Sequence, residues 1–368
     1  MKYLFINTVA GFGSTGRIAA EKCRELMAQG HDCCIAYGRS AVNCDDIPTI
    51  RIGNAFDFRL HGVMNRIFDN HGFGSKSATK QFLEQVKEYD PDVIWLHNLH
   101  GYYIHIGLLF DYLKTCGKKI FWTLHDCWTF TGHCAYFDFV GCDRWKTGCH
   151  DCPQKKSYPA SMLLDGSKRN YERKQYLFTG IPNMTLTTPS QWLADLVKQS
   201  FLREYPVEVV YNKINQEVFK PTPSDFREKH GLQNKTVLLG VASVWEKRKG
   251  LDDFVKLAGL LDDRYQIVLV GLTEKQAQEL PKTILCLPRT NSMTELAEIY
   301  TAADVYVCPS VEETFGMTVA EAIHCGTKAI VYRGTACEEV ANLMDGMVVD
   351  RGAENIQKAI YSMFIEKR

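Results

Sequence analysis

The sequence predicts an α/β protein built from two doubly wound domains, on three observations. Its 368 residues exceed what one hydrophobic core grows to fill. Short apolar runs alternate with amphipathic segments along the chain, as parallel strands joined by helices require. A polar stretch with two prolines, Asn212–Pro223, parts two halves of similar pattern and reads as a linker.

In chain order, Lys2–Asn7 is a strand-like apolar run, followed by the glycine-rich Ala10–Arg17 and by Ile18–Ala28, whose apolar residues recur at helical spacing and stop at Gly30. Cys33–Tyr37 reads as a second strand. Ala78–Tyr89 is an amphipathic helix ended by Asp-Pro, and Val93–Leu96 and Ile120–Leu124 are short buried strands. Trp128–Asp165 is irregular. The alternation resumes with the strand Met184–Thr188 and a helix starting near Pro189-Ser-Gln-Trp192, and the first half closes near Val207–Tyr211. The second half repeats the scheme. Its strands are Val237–Ala242, Gln266–Val270, Val305–Pro309 and Ala329–Val331, and its helices are Gly250–Leu261, Thr294–Ala302 and Thr318–Cys325.

Composition narrows the class. With 45% hydrophobic and 23% charged residues the chain is neither disordered nor fibrous, and 43 basic residues against 43 acidic ones leave no global field to attract nucleic acid. The first residues carry no cleavage site and no run reaches the roughly 18 apolar residues of a membrane span, so a cytoplasmic protein is expected. Its 14 cysteines, spread over a large chain without an export signal, read mostly as reduced, buried thiols.

Gly11, Gly13 and Gly16 form a literal G-x-G-x-x-G between a strand and a helix, where backbone amides could approach a phosphate. A nicotinamide site would want an acidic residue closing the second strand, and Gly38 and Arg39 stand there instead; Arg39 keeps an NADP reading open. The stronger signal is Pro309–Gly326, a strand running into a loop with Glu312, Glu313 and Gly316, then a helix carrying Glu321. The helix start near Met317 and Thr318 can hold a diphosphate through free amides, while Glu313 and Glu321 can each accept sugar hydroxyls. Together these suit a nucleotide sugar. A solvated helix carboxylate at Glu321 and a first-turn charge at Glu313 would explain the pair as well.

Glu313-x7-Glu321 within Glu-Thr-Phe-Gly-Met-Thr-Val-Ala-Glu-Ala, followed by Cys-Gly-Thr, resembles the signature of the retaining glycosyltransferases of family 4, which have the GT-B fold. The resemblance covers nearly the whole chain, through the N-terminal glycine loop, Leu124-His-Asp126, Thr188-Pro-Ser-Gln-Trp192 and Arg248-Lys-Gly250. Trp95–Gly101 and His125-Asp-Cys-Trp128 are similar to bacterial enzymes of capsular and exopolysaccharide assembly. It implies two Rossmann-like domains facing a central cleft: residues 1–212 on the acceptor side with a Cys-rich insertion at 127–165, and residues 213–368 binding the donor, the last helix being a candidate to pack back on the first domain.

The resemblance further implies a donor that is a UDP or GDP sugar, a glycan or lipid-linked acceptor, and no cofactor for catalysis. Lys249 matches the lysine on the donor diphosphate, Glu313 the carboxylate holding the sugar beside the Phe315, Gly316 and Met317 backbone, Glu321 the ribose ligand, and His125 the histidine near the reacting carbon. Gly11 and Gly13 join the donor set. Ser243 stands where many members carry a second arginine, for which Arg248 is the expected substitute. His97 and His100, near another strand end, are candidate acceptor-side contacts. Asp90-Pro-Asp92 matches a metal-binding D-x-D but reads as a turn between helix and strand. The alternatives are a nucleotide-sugar epimerase of the same fold, an NADP oxidoreductase and a non-catalytic glycan-binding protein.

Two features of the insertion stand apart. Cys149-x2-Cys152 has zinc-knuckle spacing, and Cys134 and Cys142 could complete a four-thiolate structural zinc site, with plain buried thiols as the alternative. Between Asp143 and Lys174 there are eight Lys or Arg against four Asp or Glu, interspersed with Trp145, Met162, Leu163 and Leu164. Basic and apolar residues together suit an anionic membrane surface, so peripheral contact at the inner face of the plasma membrane is expected. A solvated helix face explains Lys168, Arg169, Arg173 and Lys174 equally well.

Overall fold

A computed structural model describes residues 1–365, which divide into two compact units, Met1–Val210 and 211–365. In the first unit the elements are β1 (Lys2–Ala10), α1 (Gly13–Ala28), β2 (Asp32–Ala41), β3 (Thr49–Arg51), α2 (Ala55–Phe68), α3 (Lys76–Tyr89), β4 (Val93–Leu96), α4 (Ile106–Leu113), β5 (Lys119–Thr123), α5 (Ser167–Phe178), β6 (Met184–Thr188), α6 (Gln191–Gln199) and β7 (Val207–Val209). The second unit holds α7 (Phe226–Lys229), β8 (Thr236–Val241), α8 (Leu251–Leu260), β9 (Tyr265–Val270), α9 (Glu274–Glu279), β10 (Ile284–Leu287), α10 (Met293–Ala302), β11 (Val305–Cys308), α11 (Met317–His324), β12 (Lys328–Tyr332), α12 (Ala336–Leu343), β13 (Met347–Val349) and α13 (Ala353–Ile365).

Both sheets are parallel throughout. The first runs β3-β2-β1-β4-β5-β6-β7 and the second β10-β9-β8-β11-β12-β13, so each reverses its winding beside its first strand, between β1 and β4 and between β8 and β11. Because both faces of such a sheet are covered by helices, its central strands are apolar on both sides, as Leu4, Phe5, Ile6, Ile94, Leu96, Ile120 and Trp122 are in the first unit and Leu238, Leu239, Val268, Val307 and Ile330 in the second. The reversal leaves a gap at the carboxyl ends of the two strands, and ligands of doubly wound sheets bind there.

Several boundaries differ from the expected ones for local reasons. The glycine loop shrinks to Gly11 and Phe12, since β1 continues to Ala10 and α1 begins at Gly13, five residues before the apolar periodicity starts. Gly11 is at φ 64°, and a Cβ there would lie 2.0 Å from the Val42 carbonyl oxygen, so the residue serves the crossing of β1 and β2. Asp90 caps α3 and pairs with Lys118 at 2.6 Å, while Asp92 accepts the Lys2 amide at 2.8 Å; both carboxylates of the D-x-D are thus engaged in the fold. The Asn212–Pro223 stretch lacks helix and strand, but Ile214, Val218 and Phe219 pack into the second unit's core, fastening it to that unit. The final helix packs within its own unit: Gln357 donates to the Leu260 carbonyl at 2.6 Å and Tyr361 lies against Tyr265.

Gly250 is a tight point of the second unit's strand-end loops. It sits at φ 75° between the 3-10 turn Lys247–Lys249 and α8, and a Cβ would come 2.3 Å from the Pro309 carbonyl oxygen. Gly259, inside α8, has nothing within 4 Å of the same position. Gly250→Ala is therefore expected to cost the second unit about 1–3 kcal/mol of stability, whereas Gly259→Ala should add about 0.5–1 kcal/mol. Urea unfolding followed on Trp245, the one tryptophan in 211–368, reads both changes, and equal midpoints for the two variants would refute the assignment.

Candidate functional site

The second unit's site is assembled from the loops that follow β8 and β11, the strands flanking the reversal. After β8 the chain passes Ser243, which is exposed, and enters the turn that carries Arg248 and Lys249. After β11, Pro309–Phe315 leads into Gly316, in the left-handed region, and then α11. The loops are tied together: the Val311 amide donates to the Arg248 carbonyl at 2.9 Å, and Arg248 donates from Nη1 to the Glu312 carbonyl at 3.2 Å and from Nε to the Glu246 carboxylate at 3.0 Å. Across this junction Lys249 Nζ pairs with Glu313 Oε1. Burial works to raise the Glu313 carboxyl, yet Lys249 and Arg248, aided by Ser310, hold it below its ordinary value as a carboxylate.

Beyond Glu313 the chain turns into α11. The helix's internal bonds begin with the Val319 and Ala320 amides on the Gly316 carbonyl, which leaves Met317 and Thr318 as the amides of its first turn. Phe315 is buried against the second unit's core and fixes the entry angle. Glu321 lies one turn on, buried, its Oε2 accepting from Tyr300 Oη at 3.2 Å. Lys249, Arg248, Glu313, Phe315, Gly316, Met317, Thr318 and Glu321 are thus all in the β8 and β11 loops and α11, and the Lys249–Glu313 pair stands in front of a helix N-terminus that favours anions. Sequence reading missed Tyr300, which holds Glu321 from α10, and Ser310; no local motif marks either.

The first unit presents a different chemistry at its own strand ends. His97 after β4 and His125 after β5 stack with ring centroids 5.2 Å apart, and His97 Nδ1 and His125 Nε2 are hydrogen-bonded at 2.9 Å. Burial lowers His125 to about 4 and His97 well below the usual imidazole value, so both are neutral near pH 7. His97 Nε2 is buried with no hydrogen-bond partner among the described residues. Next to them runs a chain the sequence reading did not assemble: Asp126 Oδ2 bonds His100 Nε2 at 2.8 Å and His100 Nδ1 bonds Tyr158 Oη at 2.9 Å. Asp126 is buried, which would raise its carboxyl, and His100 together with the Trp128 amide holds it down instead. Gly11 and Gly13 belong to this unit, after β1, and the Gly11 amide is already bonded to the Gly16 carbonyl at 3.1 Å. Arg39 stacks over Phe58 at 4.7 Å.

The cysteines of the expected zinc site lie within electrostatic reach of one another, Cys134 with Cys149 and Cys152, and Cys149 with Cys142 and Cys152. Cys134 and Cys152 hydrogen-bond to each other, which with His133 nearby brings Cys152 down to about 7 against the effect of burial. Cys149 accepts the Gly132 amide at 3.2 Å, and Cys142 packs at the edge of the core. Among the described residues no group of three or more His, Cys, Asp or Glu is arranged to hold a metal ion. The same stretch packs Phe130, Phe137 and Trp145 together, their ring centroids 4.7–6.3 Å apart. Lys174 also leaves the basic surface: it is buried, donates to the Trp128 and Thr131 carbonyls at 2.7 and 3.1 Å, and lies 3.4 Å from the Trp128 ring, burial lowering it to about 7.

Comparison with known proteins places this geometry. Residues 224–367 match the family model described as "Glycosyl transferases group 1". The chain is 31% identical over 211 residues, 53% of its length and 50% of the relative's, to the putative colanic acid biosynthesis glycosyl transferase WcaC of Escherichia coli (strain K12). It is 31% identical over 173 residues, 41% of its length and 45% of the relative's, to the alpha-galactosylglucosyldiacylglycerol synthase of Streptococcus pneumoniae. The matched regions thus span about half the length of these curated relatives. Among solved structures, Anabaena HepE in complex with UDP and glucose superposes with a TM-score of 0.66 at 15% identity, covering 100% of this chain and 90% of that one. At that identity the likeness is one of fold, and the fold is GT-B.

The buried imidazoles give the first unit a pH signature. His61, His105 and His125 are each lowered by burial to about 4, and His71 and His97 further, so the unfolded chain takes up protons near pH 6.5 that the folded unit refuses. The imidazoles' contribution to stability is therefore complete above about pH 6.5 and falls toward pH 4, by up to about 1.4 kcal/mol per pH unit for each imidazole. His133 acts in the opposite sense: burial lowers it, but its bond to Asp69 at 2.6 Å wins and raises it. Five groups outweigh one. Urea midpoints read by near-ultraviolet circular dichroism should decline through this window, less steeply in His97→Gln, and a flat profile would contradict the assignment.

Proposed function

We propose that this chain, whose residues 224–367 are a group 1 glycosyl transferase domain, transfers a sugar from a nucleoside diphosphate sugar to a glycan or lipid-linked acceptor in polysaccharide assembly. The observation that carries the reading is the Lys249–Glu313 pair at the strand ends of the second unit, before the first turn of α11. A diphosphate is the ligand that such a pair can trade against. It competes with Glu313 for the Lys249 charge while the Met317 and Thr318 amides take its oxygens, and the freed carboxylate becomes an acceptor for sugar hydroxyls. Arg248 adds a second positive charge where the chain has Ser243. Glu321, held by Tyr300, accepts the ribose hydroxyls, and UDP or GDP is the donor nucleotide.

The leaving diphosphate is stabilised by Lys249, Arg248 and the helix N-terminus, each already in place before charge develops. In this scheme Glu313 is a ligand of the sugar, since an ion-paired carboxylate held below its ordinary pKa is a poor proton donor. The anomeric configuration is retained, as in family 4, with the acceptor entering on the leaving-group face and a donor phosphate oxygen taking its proton. Neutral His125, backed by His97, contributes hydrogen bonds without charge, and His100 with Asp126 and Tyr158 forms the acceptor-side wall. Gly13, at the start of α1, remains a backbone contact in this scheme. The acceptor class follows the relatives named above, one of colanic acid biosynthesis and one a glycolipid synthase. Capsular or exopolysaccharide assembly at the cytoplasmic face of the membrane is the setting this chemistry fits; no described helix is long and apolar enough to cross a membrane. An epimerase would share the donor site, and an NADP enzyme would use Arg39, whose guanidinium is instead stacked on Phe58.

The two glutamates separate these readings. Glu321→Gln and Glu321→Ala are expected to weaken both the free nucleoside diphosphate and the intact donor by roughly tenfold to 150-fold, the worth of a hydrogen bond to a charged group. Glu313→Ala should leave nucleoside diphosphate affinity unchanged or raised, because Lys249 loses its competitor, while donor affinity or turnover falls by a similar factor. Calorimetry with UDP, GDP and their sugars, run beside an assay of diphosphate release with and without acceptor, reads both patterns. Small, equal effects of the two mutants on nucleotide and donor, or sugar interconversion without acceptor, would overturn the proposal.

A further inference from the structure

Helix α2 is folded inside out. Of its 14 residues the only buried ones are polar, His61 and Asn65, while Phe56, Leu60, Val63, Met64 and Phe68 are exposed, Phe56 to 70% and Val63 to 52%. The polar face is held by specific bonds. His61 accepts the Gly74 amide at Nε2 (3.1 Å) and bonds Ser75 Oγ at Nδ1 (3.0 Å), and Asn65 donates to the carbonyls of Pro159 and Ala160 at 3.2 Å. Asn54 and Asp57 close a capping box at the start of the helix, and Arg169 donates to the Phe68 and Asp69 carbonyls at its end. Orientation is thus fixed by hydrogen bonds from both ends and from beneath, and the apolar face is left outward.

A second apolar segment continues this face. The amides of Met162 and Leu164 donate to the Arg66 and Ile67 carbonyls at 2.7 and 3.1 Å, laying Met162, Leu163 and Leu164 along the last turn of α2. Met162 and Leu163 are 71% and 66% exposed. Around the patch stand exposed cations: Arg59 and Arg66 on α2 itself, Lys168 on α5, and a hollow of about 390 Å³ beside Met64 and Phe68 that is lined by Lys76, Arg169 and Arg173. The nearby carboxylates are engaged or few. Asp57 accepts the Asn54 amide, Asp165 accepts those of Cys152 and Ser167, and Glu172 is the remaining exposed acid.

We propose that α2 and Met162–Leu164 form a docking surface for an anionic lipid bilayer, the apolar face entering the interfacial region while Arg59, Arg66, Lys168 and the Lys76–Arg173 hollow meet headgroup phosphates. A large outward apolar face rimmed by one sign of charge is the complement of that surface. A second copy of the chain fits it poorly, since pairing through this face would set the two cationic rims against each other. The surface keeps Met162–Leu164, Lys168, Arg169 and Arg173 of the basic stretch that the sequence singled out, adds α2, and drops the buried Trp145 and Lys174. The inference does not rest on the donor reading, because every residue in it belongs to the first unit.

The test is co-sedimentation of the full chain with phosphatidylcholine vesicles, with and without about one-third phosphatidylglycerol. Binding is expected on the anionic vesicles, weaker on the neutral ones, and reduced by salt. Leu60→Gln with Leu163→Gln, both at exposed positions, should lower affinity at least tenfold at all salt concentrations, whereas Arg66→Glu with Lys168→Glu should lower it chiefly at low salt. Circular dichroism and nucleotide affinity, measured in parallel, are expected to match the unmodified protein. No binding to anionic vesicles, or binding that the leucine variant leaves unchanged, overturns the proposal. So does concentration-dependent dimerisation abolished by that variant without vesicle binding, which would assign the face to self-association.

Discussion

The approach of Gly250 to the Pro309 carbonyl governs the second unit's site. Two strands that neighbour each other in the sheet end in loops that must also touch, and the contact is close enough that a Cβ would stand 2.3 Å from an oxygen. Beside this close approach the Arg248 carbonyl receives the Val311 amide and Lys249 pairs with Glu313. The pair keeps both charges compensated in a partly buried place.

The first unit solves its own problem by other means. Its strand ends carry imidazoles packed against one another, and burial keeps His97 and His125 neutral where exposed histidines would titrate. A buried polar group is tolerated when it is bonded, and most of these are: His71 accepts the Gly101 amide, His100 spans Asp126 and Tyr158, and His133 holds Asp69. The resulting wall combines neutral imidazoles at His97 and His125 with the ion pairs His100–Asp126 and His133–Asp69. The same packing makes the unit sensitive to acid.

The 127–165 insertion owes its order to this framework. It has only 3-10 turns, yet Trp128, Phe130 and Trp145 are buried in the main core, and Lys174 reaches in from α5 to bond the Trp128 and Thr131 carbonyls. Aromatic packing and the Lys174 bonds to backbone acceptors hold it in place. The cysteines sit within this packing, Cys134 and Cys152 bonded to each other and Cys149 interacting with both Cys142 and Cys152.

The sequence by itself determined the alternation of strands and helices, the two parallel sheets, and the loops and helix that carry Lys249, Glu313 and Glu321, because each depends on residues within one strand–loop–helix unit. The tertiary structure decided the rest, wherever a property joins distant segments. His97 meets His125 across 28 residues, and Tyr300 reaches Glu321 from a neighbouring helix. Helix α2 shows the limit most plainly. Its periodicity, Phe56, Leu60, Val63, Met64 and Ile67, is that of any amphipathic helix, and the default is to bury such a face. Which face turns inward was settled by the Gly74 amide, Ser75 and the Pro159 and Ala160 carbonyls, whose bonds to His61 and Asn65 hold the polar side against the unit and leave the apolar side outward.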